Sequence, residues 1–311
     1  MVKKGETIWF NGELVAWDDA QVHVLTHTLH YGLGVFEGIR VYEHPDGRSA
    51  VFRLEDHIKR LALGARMITL PLEYSVEELM EACVRVARSN RLSSCYLRPL
   101  AFVGEGELGV AAMSNPTQVA IAAWPWGAYL GDAGLTAGVR IKTSSFVRPH
   151  VNSQLHKGKV VGHYVNSILA KREALLDGYD EALLLDTNGY VCEASGENIF
   201  AVKDGIIYTP AFGGAILGGI TRSTLMTLAR EADFEIREAP ITRDMLYMSD
   251  EIFMCGTAAE VTPVRELDRR MIGDGVPGPV TKQLQKRYFD VVKGVDTSHS
   301  DWYTYYSVGS L

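Results

Sequence analysis

Residues 159–164 read Lys-Val-Val-Gly-His-Tyr, and the amine of Lys159 is where chemistry could begin. A lysine becomes a nucleophile when its surroundings favour the neutral amine or when a carbonyl cofactor traps it. The two valines after Lys159 would desolvate it, which favours it over Lys157 and Lys171. Spacing alone does not choose among the three. A trapped carbonyl cofactor also needs an acid beside its ring nitrogen and a backbone cradle for its phosphate. Glu193, at the end of an expected strand and followed by Ala-Ser-Gly, is a candidate acid, and Glu197, four residues on, is its rival. Solvated turn carboxylates are the plain alternative for both. Gly218-Gly-Ile-Thr221 leads into a helix start and Gly256-Thr257 follows a strand. Both have the form of an anion site, where unsatisfied N–H groups point outward. An amine, an acid and a phosphate cradle are together what pyridoxal 5'-phosphate requires.

The chain around these residues has 311 positions, 47% of them hydrophobic, enough for a sizeable core in two lobes. The net charge of -7 is dispersed, and no basic tract invites nucleic acid. No apolar run approaches the roughly 20 residues of a membrane span. The N-terminal Met-Val-Lys-Lys-Gly-Glu lacks a secretory apolar stretch. Cys83, Cys95, Cys192 and Cys255 stand too far apart for a zinc or redox motif, which suggests reduced thiols in a cytoplasmic protein.

Strand and helix signals position the candidates. Asn11-Gly12 between Trp9-Phe10 and Leu14-Val15 is a hairpin signal. His23, His27 and His30 raise a metal, but no carboxylate shares the face of His27 and His30, so polar residues lining a cleft or interface is the preferred reading. Gly32, Gly34 and Gly38 suggest a close-packed turn into a strand, and a hairpin is expected around Pro45-Asp-Gly47. Residues 54–68 have helical periodicity with Ile58, Leu61 and Leu63 apolar, and Arg60 there reads alone as an ordinary surface arginine. Ser75-Val-Glu-Glu78 is a capping box opening a second helix. Residues 95–103 form an expected strand with Tyr96 and Arg98 on one face. A charge in so apolar a strand is costly unless paired, which makes Arg98 a better anion reader than Arg60 on local grounds, with a structural ion pair as the alternative. Strand patterning lapses over residues 127–138, an expected linker, and the boundary is placed between 133 and 134. This gives a small N-terminal domain, 1–133, and a larger cofactor-binding domain, 134–311. Further on, hairpins are expected around Asn188-Gly189 and Asp204-Gly205, and an amphipathic helix with Leu225, Leu228 and Ala232 inward follows Gly218–Arg222. Strands outnumber helices in each lobe, so the class is α+β.

Nearly the whole chain resembles the branched-chain amino acid aminotransferases of pyridoxal-phosphate fold type IV. The pieces that carry this are Trp9-Phe-Asn-Gly, His30-Tyr-Gly-Leu-Gly-Val-Phe-Glu-Gly-Ile-Arg40, His57-Ile-Lys-Arg-Leu61, Tyr96-Leu-Arg-Pro-Leu100, Pro125-Trp-Gly-Ala-Tyr129, Lys159–Tyr164, Glu193–Phe200, Leu217-Gly-Gly-Ile-Thr-Arg222 and Gly256-Thr-Ala-Ala-Glu-Val-Thr-Pro-Val264. The resemblance implies a small α/β lobe, a larger lobe with a barrel-like β core, and transfer of an amino group from leucine, isoleucine or valine to 2-oxoglutarate. The wider fold group offers an alternative: a D-amino acid or (R)-amine transaminase, or an aminodeoxychorismate lyase. In the branched-chain reading Lys159 carries the cofactor, Glu193 meets its pyridine nitrogen and Tyr164 its ring hydroxyl. Arg60, Ile220, Thr221 and Thr257 hold the phosphate, with Gly196, Leu217, Gly219 and Gly256 completing the cofactor site. Backbone of Thr257 and Ala258, with the Tyr96 hydroxyl, takes the substrate α-carboxylate. Phe36, Gly38, Trp126, Tyr129 and Tyr164 shape an apolar pocket with Tyr31 at its rim, and Arg98 meets a distal carboxylate. Tyr31 and Tyr96 act across an interface, so a homodimer is the minimal unit and a hexamer the larger option. Two departures stand out: His163 where relatives often place asparagine, and Lys157 so close to Lys159.

Overall fold

The computed structural model describes residues 3–127 and 129–308. Ala128 of the expected linker and Met1-Val2 of the N-terminal stretch lie outside them. By its contacts the chain divides into unit 1 (Met1–Trp126, Gly158–His163, Val291–Leu311) and unit 2 (Gly127–Lys157, Tyr164–Asp290). The expected boundary was a single cut at 133/134. The observed division falls at 126/127 and assigns two later segments to unit 1.

Unit 1 starts with β1 (Thr7–Phe10), β2 (Glu13–Ala16), α1 (His27–Tyr31), β3 (Gly34–Phe36), β4 (Ile39–Glu43) and β5 (Ser49–Phe52). It continues with α2 (Leu54–Met67), α3 (Val76–Ser89), β6 (Cys95–Val103) and β7 (Thr117–Trp124). In unit 2 follow α4 (Gly131–Ala137), β8 (Val139–Thr143), α5 (Tyr164–Leu176), β9 (Glu181–Leu185), β10 (Val191–Ala194), β11 (Asn198–Lys203) and β12 (Ile206–Thr209). Then come α6 (Ile220–Glu231), β13 (Ile236–Glu238), α7 (Arg243–Tyr247), β14 (Glu251–Gly256), β15 (Glu260–Leu267), β16 (Arg270–Met271) and α8 (Pro279–Val292). The last strand, β17 (Tyr303–Tyr306), belongs to unit 1.

The sheet of unit 1 runs β17-β5-β4-β6-β7-β1-β2, with β3 also on β6. Asn11 (φ 48°) and Gly12 (φ 100°) make the tight turn that joins β1 to β2, as the Asn-Gly pair demands. Helices α2 and α3 lay Leu54, Ile58, Leu61, Leu79, Cys83 and Val86 on one face of the sheet, where they meet Ile39, Leu97 and Ile121. Ser75 and Glu78 cap each other at the start of α3 as expected. Leu63, one of the apolar positions in that periodicity, is exposed, because it falls on the opposite side of α2 from Ile58 and Leu61.

In β6, Pro99 breaks a ladder. The chain 34–43 runs antiparallel to β6, with Phe36 opposite Leu100 and Ile39 opposite Leu97. The Glu37 N–H reaches the Pro99 carbonyl (2.8 Å), but Pro99 has no N–H to return. Pairing therefore lapses at Glu37-Gly38, which separates β3 from β4. Side chains alternate across this lapse: Glu37 turns to the helix face, while Phe36 lies with Tyr96 and Arg98 on the other.

The sheet of unit 2 runs β10-β9-β8-β15-β14-β11-β12-β13, with β16 on β15. The Ala194 N–H donates to the Glu197 carbonyl (2.8 Å) in the turn joining β10 to β11. The first and sixth strands of that order thus meet, and the strands between curl into the barrel-like core of an α+β fold. The expected 127–138 linker is instead largely the short helix α4, closed by Gly138 at φ 82°. Its glycines had masked a helix of seven residues that starts just after Leu130. All four cysteines are free and buried. Among the described residues no helix is long and apolar enough to cross a membrane.

Candidate active site

Lys159 is placed by unit 1. Its carbonyl accepts from the Phe36 N–H (3.1 Å), Val160 bridges Val35, and its Nζ lies 5.0 Å from the centre of the Phe36 ring. The segment docks so closely that a side chain on Gly32 (φ 72°) would meet Gly162 Cα at 2.8 Å. The rival lysines are engaged elsewhere. Lys157 donates to the carbonyls of Gly214 (2.8 Å) and Ile216 (2.9 Å). Lys171 meets Glu181 at 2.5 Å and donates to the Asp180 carbonyl.

Also in unit 1, Arg60 is no surface arginine. Its Nε and Nη2 donate to the two oxygens of Glu37 (2.7 and 2.8 Å), and His57 Nδ1 lies 2.7 Å from Glu37 Oε2. Glu37 is fully buried. Burial alone would raise its pKa, but the Arg60 charge and the hydrogen bonds of His57 and Arg60 hold it well below the usual carboxylate range. Burial pushes His57 down despite Glu37, so the imidazole is neutral and donates.

On the opposite face of the same sheet, Arg98 lies under aromatic rings: 4.9 Å from Phe36, 5.5 Å from Tyr96 and 5.8 Å from Trp124. The alternative of a structural ion pair is not realised; among the described residues Arg98 meets no carboxylate, and its Nε is buried without a hydrogen-bond partner. The Tyr96 ring lies 4.4 Å from that of Trp126, tilted by 57°, and a side chain on Gly38 would collide with the Tyr96 hydroxyl. Tyr31 ends α1, 47% exposed. The three early histidines serve structure: His27 Nε2 lies 2.9 Å from the Gly109 carbonyl, His30 Nε2 lies 2.8 Å from that of Val24, and His23 faces Glu105.

In unit 2, Glu193 is buried on β10 and heavily directed. Arg148 meets one carboxylate oxygen at 3.1 Å, while the other accepts the Leu217 N–H (3.0 Å) and the Asn198 amide (3.1 Å). Arg148 is itself held by Ser167 and the Ala194 carbonyl. Glu197, the rival, points elsewhere and accepts from the Gly196 N–H (3.0 Å). Burial first, then the Glu181 charge, pushes its carboxyl up to about 8. Leu217 and Gly219 precede α6, whose first residues are Ile220 and Thr221. Gly219 is its N-cap and no side chain caps it. A side chain there would strike Asn198 Oδ1 at 1.9 Å. Thr257 and Ala258 lie in the tight turn between β14 and β15, beyond Gly256. Tyr164 opens α5, and Tyr129 lies 5.5 Å from the Lys171 amine.

These donors fit a phosphorylated pyridine aldehyde. The uncapped start of α6 suits a phosphate, and a buried carboxylate braced by a guanidinium suits a protonated ring nitrogen.

The sequence profile described as Amino-transferase class IV matches residues 34–267. The chain belongs to the class IV aminotransferases. Among class IV relatives, the branched-chain-amino-acid aminotransferase of Pseudomonas aeruginosa is 51% identical over 98% of this chain and 98% of its own. The crystal structure of the Escherichia coli branched-chain amino acid aminotransferase superposes with a TM-score of 0.94 at 46% identity, over 96% of this chain and 99% of that one. A branched-chain amino acid aminotransferase from T.th., complexed with N-(5'-phosphopyridoxyl)-L-glutamate, does so at 0.93 and 47% identity, over 97% and 98%. Four residues of this class IV chain that brace candidate site residues, directly or through one another, were given no role in the sequence reading: Glu37, His57, Arg148 and Asn198. Their partners lie 5 to 46 positions away along the chain.

Proposed function

We propose that the protein is a branched-chain L-amino acid transaminase, moving the amino group of leucine, isoleucine or valine to 2-oxoglutarate in two half-reactions with pyridoxal 5'-phosphate. Pyridoxal phosphate, when bound, supplies a protonated ring that draws electrons from a substrate's Cα. The residues do the rest. Lys159 anchors the cofactor and moves the proton at Cα through its Nζ. Glu193, fixed by Arg148, Asn198 and the Leu217 N–H, keeps the ring nitrogen protonated, and Tyr164 meets the ring hydroxyl. Arg60, with the N–H groups of Ile220, Thr221 and Thr257, grips the phosphate, and Gly196, Gly219 and Gly256 keep backbone close. The α-carboxylate goes to the Thr257–Ala258 turn and the Tyr96 hydroxyl. The observation that carries the substrate assignment is Arg98: a partly buried guanidinium among Phe36, Tyr96 and Trp124, with its Nε buried and unbonded, gives apolar walls for an aliphatic chain and a cation for an acidic chain. Trp126 and Tyr129 extend those walls. The pairing of both substrate types is supported by relatives named for branched-chain donors and by a relative solved with a glutamate adduct.

The active unit is a homodimer or a larger assembly such as a hexamer in the cytoplasm, with Tyr31 and Tyr96 reaching across an interface. Exposed Val24, Leu29, Val110 and Met113 in unit 1 support this, because such apolar side chains favour a partner. The test adds each amino acid singly to the holoenzyme and follows its visible cofactor band. L-leucine and L-glutamate each bleach it; if neither does, the assignment fails.

A further inference from the structure

We propose that Glu37 and His57 are positioning residues that set the direction of the Arg60 guanidinium, and through it the strength of the phosphate grip. This rests on Arg60 holding the phosphate. Glu37 stands opposite Pro99 in the antiparallel register, and strand alternation turns its carboxylate into the helix face. Glu37 takes the Nε and one Nη2 hydrogen of Arg60 as a two-pronged pair, at 2.7 and 2.8 Å. His57, one turn of α2 before Arg60, braces the Oε2 atom at 2.7 Å. The guanidinium plane is therefore fixed by a fully buried carboxylate.

Two effects oppose one another here. The Glu37 charge offsets that of Arg60, which weakens the pull on a phosphate. Its geometry removes the freedom of a long side chain, which strengthens the grip. A pair this short, made by a rigid fork to a buried acid, puts orientation ahead. Neutralising Glu37 is therefore expected to weaken phosphate binding, the reverse of what charge alone dictates. Glu37 also lies between Phe36 and Gly38, which pack on Arg98 and Tyr96.

The experiment titrates apoenzyme with pyridoxal 5'-phosphate and, separately, with pyridoxal. The ratio of the two dissociation constants isolates the phosphate. Arg60→Met is expected to collapse that ratio by about a hundredfold, Glu37→Gln to shrink it about tenfold and His57→Phe about threefold, in line with losing charged and then neutral hydrogen bonds. Affinity for pyridoxal itself stays the same. His57→Gln, which can still donate, restores the ratio, and Glu37→Gln adds nothing in the Arg60→Met background. Melting curves of each apoenzyme verify folding. Should Glu37→Gln not fold, the His57→Phe and His57→Gln pair decides alone. A ratio unchanged or raised by Glu37→Gln, with Arg60→Met collapsing it, overturns the positioning role. A ratio untouched by Arg60→Met overturns the phosphate role of Arg60 itself, and the positioning role with it.

Discussion

Arg98 shows how far one side chain can be read before its surroundings are known. Its cost in an apolar strand was evident from Tyr96-Leu-Arg-Pro99, and so was the choice between an ion pair and a ligand-facing cation. That no carboxylate among the described residues pairs with it could not be foreseen, since the rings that surround it come from β3, β6 and β7. Replacing Arg98 by Met is expected to lower kcat/KM for 2-oxoglutarate by on the order of a hundredfold, because a buried cation–carboxylate pair is lost. The leucine half-reaction is expected to stay within about threefold, since the Met side chain preserves the apolar wall. Steady-state and single-turnover rates on both substrates check this; an equal fall on both would show that Arg98 shapes the pocket rather than reading a charge. The lysines teach the same lesson. Two valines favoured Lys159, but what separates it from Lys157 is the pair of carbonyls that hold the Lys157 amine, 57 and 59 positions away.

Hairpins were the most legible elements. Asn11-Gly12, Asn188-Gly189 and Asp204-Gly205 announce themselves by residue type, because each turn needs a positive φ that those residues tolerate, and Gly12, Gly189 and Gly205 all adopt one. The split of β3 from β4 was not legible, since it depends on which strand Pro99 faces. Nor was α4, whose glycines and short length look like a linker. The turn from β10 to β11 carries a prediction of its own. Three carboxylates lie near it: Glu193 is paired with Arg148 and Glu181 with Lys171, while Glu197 forms no ion pair among the described residues. An acid whose pKa is raised on folding binds its proton more tightly in the native state, so stability falls as pH rises from the unfolded value of about 4.3 towards about 8. Glu197→Gln stays neutral and escapes that loss. The variant is expected to match the parent near pH 4.5 and to exceed it by roughly 1–3 kcal/mol at pH 8.5. Denaturant midpoints at both pH values check it, and a gap that narrows with rising pH would show that Glu197 is ionised in the native state.

At the scale of the molecule, the α+β class and the family were both plain from strand count and from motif order along the chain. The path of the chain through the two units was not, because Gly158–His163 and Val291–Leu311 join unit 1 through partners such as Val35 and Phe52, which no local pattern records. The proposed dimer gives a test at this scale. Val110 and Met113 are almost fully exposed, and His27 tethers their loop to α1 through Gly109. Changing both to Glu is expected to shift the protein to monomer mass in sedimentation and to reduce transamination at least about tenfold, because two charges desolvated at an interface cost several kcal/mol. A variant that remains assembled would place the interface elsewhere. The threaded division of the chain has one more consequence. No single scission releases either half intact: a fragment ending at Trp126 forfeits the strand that borders β5 and the short segment that bears Lys159. Anyone grafting unit 1 onto a relative's counterpart of unit 2 must therefore cut each parent at every crossing between the two, and carry Lys159 along with unit 1.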